Sequence, residues 1–216
     1  MGYKELVKRL EIERDLVKKD GIITSDEIRK FCKEKNINLN YASAIGYLLS
    51  NEYLVRILRG IFYIKTIEER KKKITKINYF DAIVKALKIK NIDKWYFGLE
   101  TALKLNNLTH ETFFIDTIIN NKIRNTNPVK ILGHKTKITK VKRIDFSFGI
   151  KKGLTKDKEE YFYSDPERTI LDLAYIGRYN GETDEEIKNK ISGYKYNKEK
   201  LKKYLKNYPK SMEELF

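Results

Sequence analysis

Glu100 or Asp116, taken with Asp145 and Lys151, is the set of side chains whose types would suit a metal-dependent nuclease, because such sites combine carboxylates with a lysine. Their spacing is loose, and each has a plain surface role as an alternative. His110 and His134 lie far apart in the chain with no Cys or carboxylate cluster beside them, so no zinc site is expected. There is no GxxxxGK[ST] phosphate loop, no GxGxxG and no HExxH. A Gly-Ser followed by paired aspartates, which a nucleotidyltransferase needs to hold its metals, is missing as well. Cys32 is the single cysteine, which excludes an internal disulfide, and its place in an apolar helical stripe makes it a small core residue. The expectation is a protein that binds rather than catalyses, with no metal and no cofactor.

The charge says what it would bind. The 216 residues hold 46 Lys plus Arg against 30 Asp plus Glu, a net +16. Residues 1–70 hold 14 bases and 11 acids, residues 71–155 hold 19 and 6, and residues 156–216 hold 13 of each. A central segment that basic suits a polyanionic partner. Only 10 of the bases are Arg, and a chain rich in Lys, Ile, Asn and Tyr is also what an AT-rich genome or a thermophile produces, so solvated surface is the competing reading. Hydrophobic residues at 41%, with 15 Tyr and 10 Phe, argue against disorder. No apolar run is long enough to cross a bilayer, and the opening MGYKELVKRLEIERD lacks the apolar core of a signal peptide. A cytoplasmic protein without a membrane partner is expected.

The elements that would position a binding surface come first in the chain. Tyr3 to about Lys19 is amphipathic, with Leu6, Leu10 and Val17 on one stripe, and Asp20-Gly21 stops it. In GIITSDEIRKFCKEKNI, Thr24 with Glu27 forms a capping box, and the helix that follows buries Ile28, Phe31 and Cys32. A third helix, capped near Asn38 or Asn40, runs to about Ser50. The spacing puts Ala42, Ile45 and Leu49 on one face and Asn40, Ser43, Ala44 and Tyr47 on the other. That second face is small and polar with one long aromatic, which suits insertion into a major groove. Two short strands, about Tyr53–Leu58 and Ile61–Lys65, then flank Arg59-Gly60. Three helices and a hairpin with Arg at its tip describe a winged helix-turn-helix over residues 1–70, with Arg56 and Arg59 on or beside the wing. The charge run of residues 66–77 is a domain connection in which Arg70, Lys71, Lys72 and Lys73 would meet DNA backbone.

Residues 71–216 read as a basic, mixed α/β domain, so the whole chain is α+β. A helix is expected from Asn78 to about Lys90, and a short extended Trp95–Phe97 enters a second helix. β-rich stretches are expected at 113–119, 129–132, 138–148 and 161–163. A helix follows from Pro166, capped by Ser164 or Asp165, and a last helix is broken at Pro209.

The order of the segments RGIFYI, FGLETALKLNNLT and DPERTILDLAY, across roughly residues 3 to 180, resembles the AbiEi family, the antitoxin and regulator half of type IV (AbiE) toxin–antitoxin systems. The resemblance implies a winged helix that binds inverted repeats in its own promoter as a repressor, and a C-terminal domain that counters a nucleotidyltransferase-like toxin without necessarily touching it. It implies a monomer in solution that pairs on DNA. Carried over by position, the DNA role falls on Asn40, Tyr41, Ser43, Ala44, Tyr47, Arg56 and Arg59. Glu100, Asp165, Glu167, Arg168 and Asp172 match recurring positions of the family, but Asp165 has a structural account as a helix cap, and Glu167 and Arg168 as ion pairs locking that helix to the sheet. Lys dominates where the family often carries Arg, which weakens bidentate base readout. The alternative is an RNA-binding or toxin-masking module that works through the basic 71–155 surface.

Overall fold

The computed structural model of the chain describes residues 2–16, 20–34, 40–141 and 145–216. It is mixed α+β and divides into two compact units, Met1–Lys90 and Asn91–Phe216. The boundary expected near residue 70 falls inside the first unit. Among the described residues no helix is long and apolar enough to cross a membrane.

The first unit runs α1 (Gly2–Leu16), β1 (Ile22–Thr24), α2 (Ser25–Glu34), α3 (Tyr41–Ser50), β2 (Leu54–Leu58), β3 (Ile61–Ile64), α4 (Ile67–Lys71) and α5 (Tyr79–Ile89). Thr24 and Glu27 form the expected box: the Thr24 N–H donates to Glu27 Oε2 at 2.8 Å, and Glu27 N–H donates back to Thr24 Oγ1 at 3.3 Å. The three strands form an antiparallel sheet in the order β1-β3-β2. The core joins Leu6 and Leu10 of α1, Ile28 and Phe31 of α2, Ala44, Ile45 and Leu48 of α3, and Phe62 and Ile64 of β3. Each large apolar side chain removed from water there contributes roughly 1.5–3 kcal/mol. Cys32 lies half-buried against this core, and burial pushes its thiol up. Val17 and Asn38, named above, lie outside the described residues. Asn78 caps α5, which buries Ile83, Val84 and Leu87 and packs on β2.

The second unit runs β4 (Trp95–Gly98), α6 (Leu99–Leu105), β5 (Ile115–Asn120), β6 (Val129–Ile131), β7 (His134–Lys140), β8 (Ile150–Leu154), β9 (Glu160–Ser164), α7 (Pro166–Tyr179), α8 (Asp184–Ser192), α9 (Lys198–Leu205) and a 3-10 helix over Lys210–Leu215. Its sheet has the order β6-β7-β5-β4-β9-β8, with β5/β7 and β4/β9 parallel and the other pairs antiparallel. The strand expected over 138–148 instead starts at His134 and ends at Lys140, and β8 and α8 are additions to the sequence reading. A core of Tyr96, Leu103, Ile119, Ile170, Leu171, Ala174, Ile187, Leu201 and Met212 joins the sheet to α6, α7, α8, α9 and the 3-10 helix.

Candidate nucleic-acid interface

Asn40 starts α3. Its side-chain Oδ1 accepts from the N–H groups of Ala42 at 2.9 Å and Ser43 at 3.3 Å, and this cap sets the rotational phase of the helix. With that phase, Ala44, Ile45 and Leu48 enter the core, while Ala42, Ser43, Gly46 and Ser50 are exposed. Two positions expected from spacing are therefore exchanged. Ala44 is fully buried and does not face outward, and Ala42 takes its place on the surface. The cause is the run AIGYLL, whose apolar residues fall on both flanks of the helix: Ala44, Ile45 and Leu48 are buried, Tyr41, Tyr47 and Leu49 pack half-buried against the same core, and of the expected stripe only Ala42 is exposed. The outward face remains short and polar, with no charged side chain on α3. Tyr47 stands at its edge, half-buried, with its ring 4.4 Å from that of Tyr3 and 6.2 Å from that of Tyr53.

The hairpin is tied to this helix through one residue. Ser25, first in α2, donates its N–H to the Gly60 carbonyl at 2.9 Å, and the Tyr41 hydroxyl donates to Ser25 Oγ at 2.5 Å. Gly60 holds φ +79°, and a Cβ there would come within 3.2 Å of Ser25 Oγ, so the turn needs glycine. Ser25 thus fastens the hairpin tip and the start of α3 to one point. Arg59, exposed at the tip, and Asn40 and Ser43 at the start of α3 are thereby held together. Arg56 is also exposed, with its guanidinium 5.6 Å from the Phe62 ring. Tyr41 acts as a brace, and it carries a residue that the sequence reading missed: the exposed Arg29 guanidinium lies 4.3 Å from its ring. Arg29 stands one helical turn from Ser25. The first unit carries 21 bases and 12 acids, so a domain that looked nearly balanced over residues 1–70 is strongly basic once α5 and its lead-in belong to it.

The four bases expected on DNA backbone separate. Arg70 is committed inside the fold: it pairs with Glu11 and lies 4.3 Å from the Tyr53 ring. Lys72 donates to Glu68 at 2.8 Å on the surface, while Lys71 and Lys73 are exposed. Lys72 and Lys76 together hold the Glu68 carboxyl down at about 2.

The DPER segment is built as a buried lock. Asp165 caps α7 by accepting from Arg168 N–H at 2.9 Å, and its other oxygen takes the Tyr204 hydroxyl at 3.0 Å and Lys200 Nζ at 2.9 Å. Glu167 pairs with Lys200 at 2.8 Å and accepts from Asn197 N–H at 2.9 Å, so it ties α7 to α9 and not to the sheet. Arg168 ties α7 to the sheet. Its guanidinium is 4.4 Å from the rings of both Tyr96 and Phe148, donates to the Tyr96 hydroxyl at 3.2 Å and to the Phe148 carbonyl, and has Asp172 at 3.7 Å. Asp172, fully buried, accepts from the hydroxyls of Tyr96 at 2.8 Å and Tyr208 at 2.7 Å. Burial pushes its carboxyl up despite Arg168 and the two hydroxyls, and pushes both tyrosines well above their usual range. Glu100 sits half-buried in the first turn of α6.

Three members of the nuclease set have other partners. Asp116 is taken by His134 at 2.8 Å, Asp145 by the Ser147 N–H at 2.9 Å, and Lys151 by Asn106 at 3.1 Å. Among the described residues no group of three or more His, Cys, Asp or Glu stands together as metal ligands would. His110 is exposed.

No protein-family model and no curated protein matches the chain. A solved structure does. The RV2827C protein from Mycobacterium tuberculosis is similar over 95% of this chain and 71% of its own, with a TM-score of 0.52 at 12% identity. The likeness is one of fold.

Proposed function

We propose that the first unit is a winged helix-turn-helix that binds double-stranded DNA, and that the chain is the antitoxin and autorepressor of a type IV toxin–antitoxin operon in the cytoplasm. The observation that carries the DNA reading is the Ser25 fastening, which holds the Asn40-capped start of α3 and the Arg59 tip in one fixed relation. In this reading α3 enters the major groove, about 12 Å wide, with its short polar face against the base edges. Ser43 offers a hydroxyl. Asn40 offers only its amide N–H groups, since its oxygen is occupied by the cap. Arg59 and Arg56 hold phosphates or reach a minor groove, and Arg29, Lys71 and Lys73 add backbone charge. Two copies, monomeric in solution, sit on an operator inverted repeat. The C-terminal unit counters a nucleotidyltransferase-like toxin, as the AbiEi resemblance implies, with no chemistry of its own. The DPER lock supports this only by making that unit rigid.

Gel-shift titration of the full chain against the duplex upstream of its own gene, with a scrambled duplex as competitor, tests the reading. Arg59→Ala is expected to weaken binding to both duplexes and to reduce the slope of log affinity against log salt by about 1. Ser43→Ala and Tyr47→Ala are expected to change which operator variants are preferred. Unaltered preference in both would remove α3 from the role of reader.

A further inference from the structure

Between α8 and α9 the second unit holds a cleft of about 290 Å³. Its apolar wall comes from Ile191 of α8, Leu201 of α9 and Leu215 of the 3-10 helix, all three part of the core, with Tyr196 and Phe216 half-buried beside them. Three lysines line the same cleft, Lys188 of α8 and Lys198 and Lys202 of α9. All three are exposed, and among the described residues no acidic side chain lines the cleft with them. Neighbouring lysines are paired, Lys190 with Glu182 and Lys200 with both Asp165 and Glu167. Lys188 helps to hold the Asp184 carboxyl low, but that carboxylate is bonded to Arg178. Among the described residues Lys198 and Lys202 have no ion pair. Lys198 is also the first residue of α9, at the positive end of the helix dipole, and Lys202 stands one turn on, where like charges repel. Solvation accounts for lysines elsewhere on this helix. It does not account for a pair that lines an apolar hollow with no counter-charge.

We propose that this cleft binds a small amphipathic anion, its apolar body seated on Ile191, Leu201 and Leu215 and its carboxylate or phosphate head held by Lys198 and Lys202. The volume stands at the foot of the range of about 300–1,000 Å³ for small-molecule sites, so the body is one ring or a short alkyl chain. The apolar wall supplies affinity by removing that body from water. An ammonium is a point charge without the fork geometry that would demand one head group, so carboxylate and phosphate share the same recognition. The anion relieves the Lys198–Lys202 repulsion and brings the charge that the first turn of α9 favours. The site lies wholly in the second unit and does not rest on the operator reading.

The test is isothermal titration calorimetry of the full chain with octanoate, octyl phosphate, octanol and octylammonium, each kept below its micellar concentration. Octanoate, octyl phosphate or both are expected to bind at a single site, about tenfold or more tighter than octanol, and octylammonium is expected not to bind. The tighter anion names the head group. Lys198→Gln with Lys202→Gln is expected to weaken the anion about tenfold or more and to leave octanol unchanged, since only the charge-assisted bonds are lost. This variant should melt no lower than the parent, because a repulsive pair has gone. Ser192→Phe places a ring in the cleft from an exposed position at the end of α8, and is expected to abolish binding of anion and alcohol alike. Arg59→Ala is expected to leave octanoate binding unchanged, which separates failure here from failure of the operator reading. Octanol bound as tightly as either anion, no binding of the anions, or affinity that neither cleft variant moves overturns the proposal.

Discussion

Glu167 divides its two oxygens between the Asn197 N–H and Lys200. Burial alone would push this carboxyl up, but the ammonium and the N–H hold it below its ordinary value. A carboxyl whose folded pKa is depressed contributes stability that is present above its unfolded pKa of about 4.3 and is lost as pH falls through the folded value. Glu167→Gln should therefore lower stability at pH 7, and the gap from the parent should close on acidification below about pH 4. Urea titrations followed by Trp95, the single tryptophan and a buried residue of the second unit, would measure it. Asp172 is a harder case, because Arg168, Tyr96 and Tyr208 all converge on it and it is fully buried. Asp172→Ala leaves a buried guanidinium without its counter-charge and two hydroxyls without an acceptor, and should cost about 3–5 kcal/mol. Tyr208→Phe keeps the ring and loses one hydrogen bond, and should cost only about 1–2 kcal/mol by the same titration. The DPER spacing announced both carboxylates and the Asp165 cap. It did not announce the Arg168 cage, because Phe146 and Phe148 precede α7 by a whole hairpin and Tyr96 comes from β4.

At the scale of the element, α3 shows where a sequence pattern loses its phase. Asn40 as cap and Ser50 as end were legible, because capping chemistry is local. The inward face was not, because Ala42 and Ala44 are indistinguishable by hydropathy, and only the cap and the packing of α1 on the helix decide between them. The consequence is measurable: Ala44→Leu should overpack the core and cost about 1–3 kcal/mol, whereas Ala42→Leu should leave the melting temperature nearly unchanged and alter duplex binding. The three-residue β1 escaped because Ile22-Ile23 is too short for a period and its partner, β3, lies about forty residues on. β8 escaped because IKKGL alternates poorly, its outer lysines and Gly153 hiding an edge strand. The hairpin was legible from Arg59-Gly60, and Gly60→Ala should cost about 1–2 kcal/mol through its left-handed backbone while loosening the Ser25 fastening.

For the whole molecule, the division at Lys90 assigns α5 to the first unit, and this changes both stability and charge. A fragment of residues 1–90 should melt higher than one of residues 1–70, since α5 packs on β2 and the shorter fragment bares that strand; circular dichroism melts of the two would decide it. Composition had located the charge excess correctly along the chain but could not divide it between units, because chain order says nothing of where α5 packs. Each unit has its own core. One property of the first unit's surface reaches into the protein's history. A Cβ added at Gly46, midway along the outward side of α3, meets nothing within 4 Å, and Ala42 and Ser43 are equally free of duties in the core. Gly46→Ala should even firm the helix, by about 0.5–1 kcal/mol. Substitution at these positions costs the fold nothing, so, if α3 is the reader proposed above, a duplicated copy of the gene could change its DNA preference without passing through an unstable ancestor.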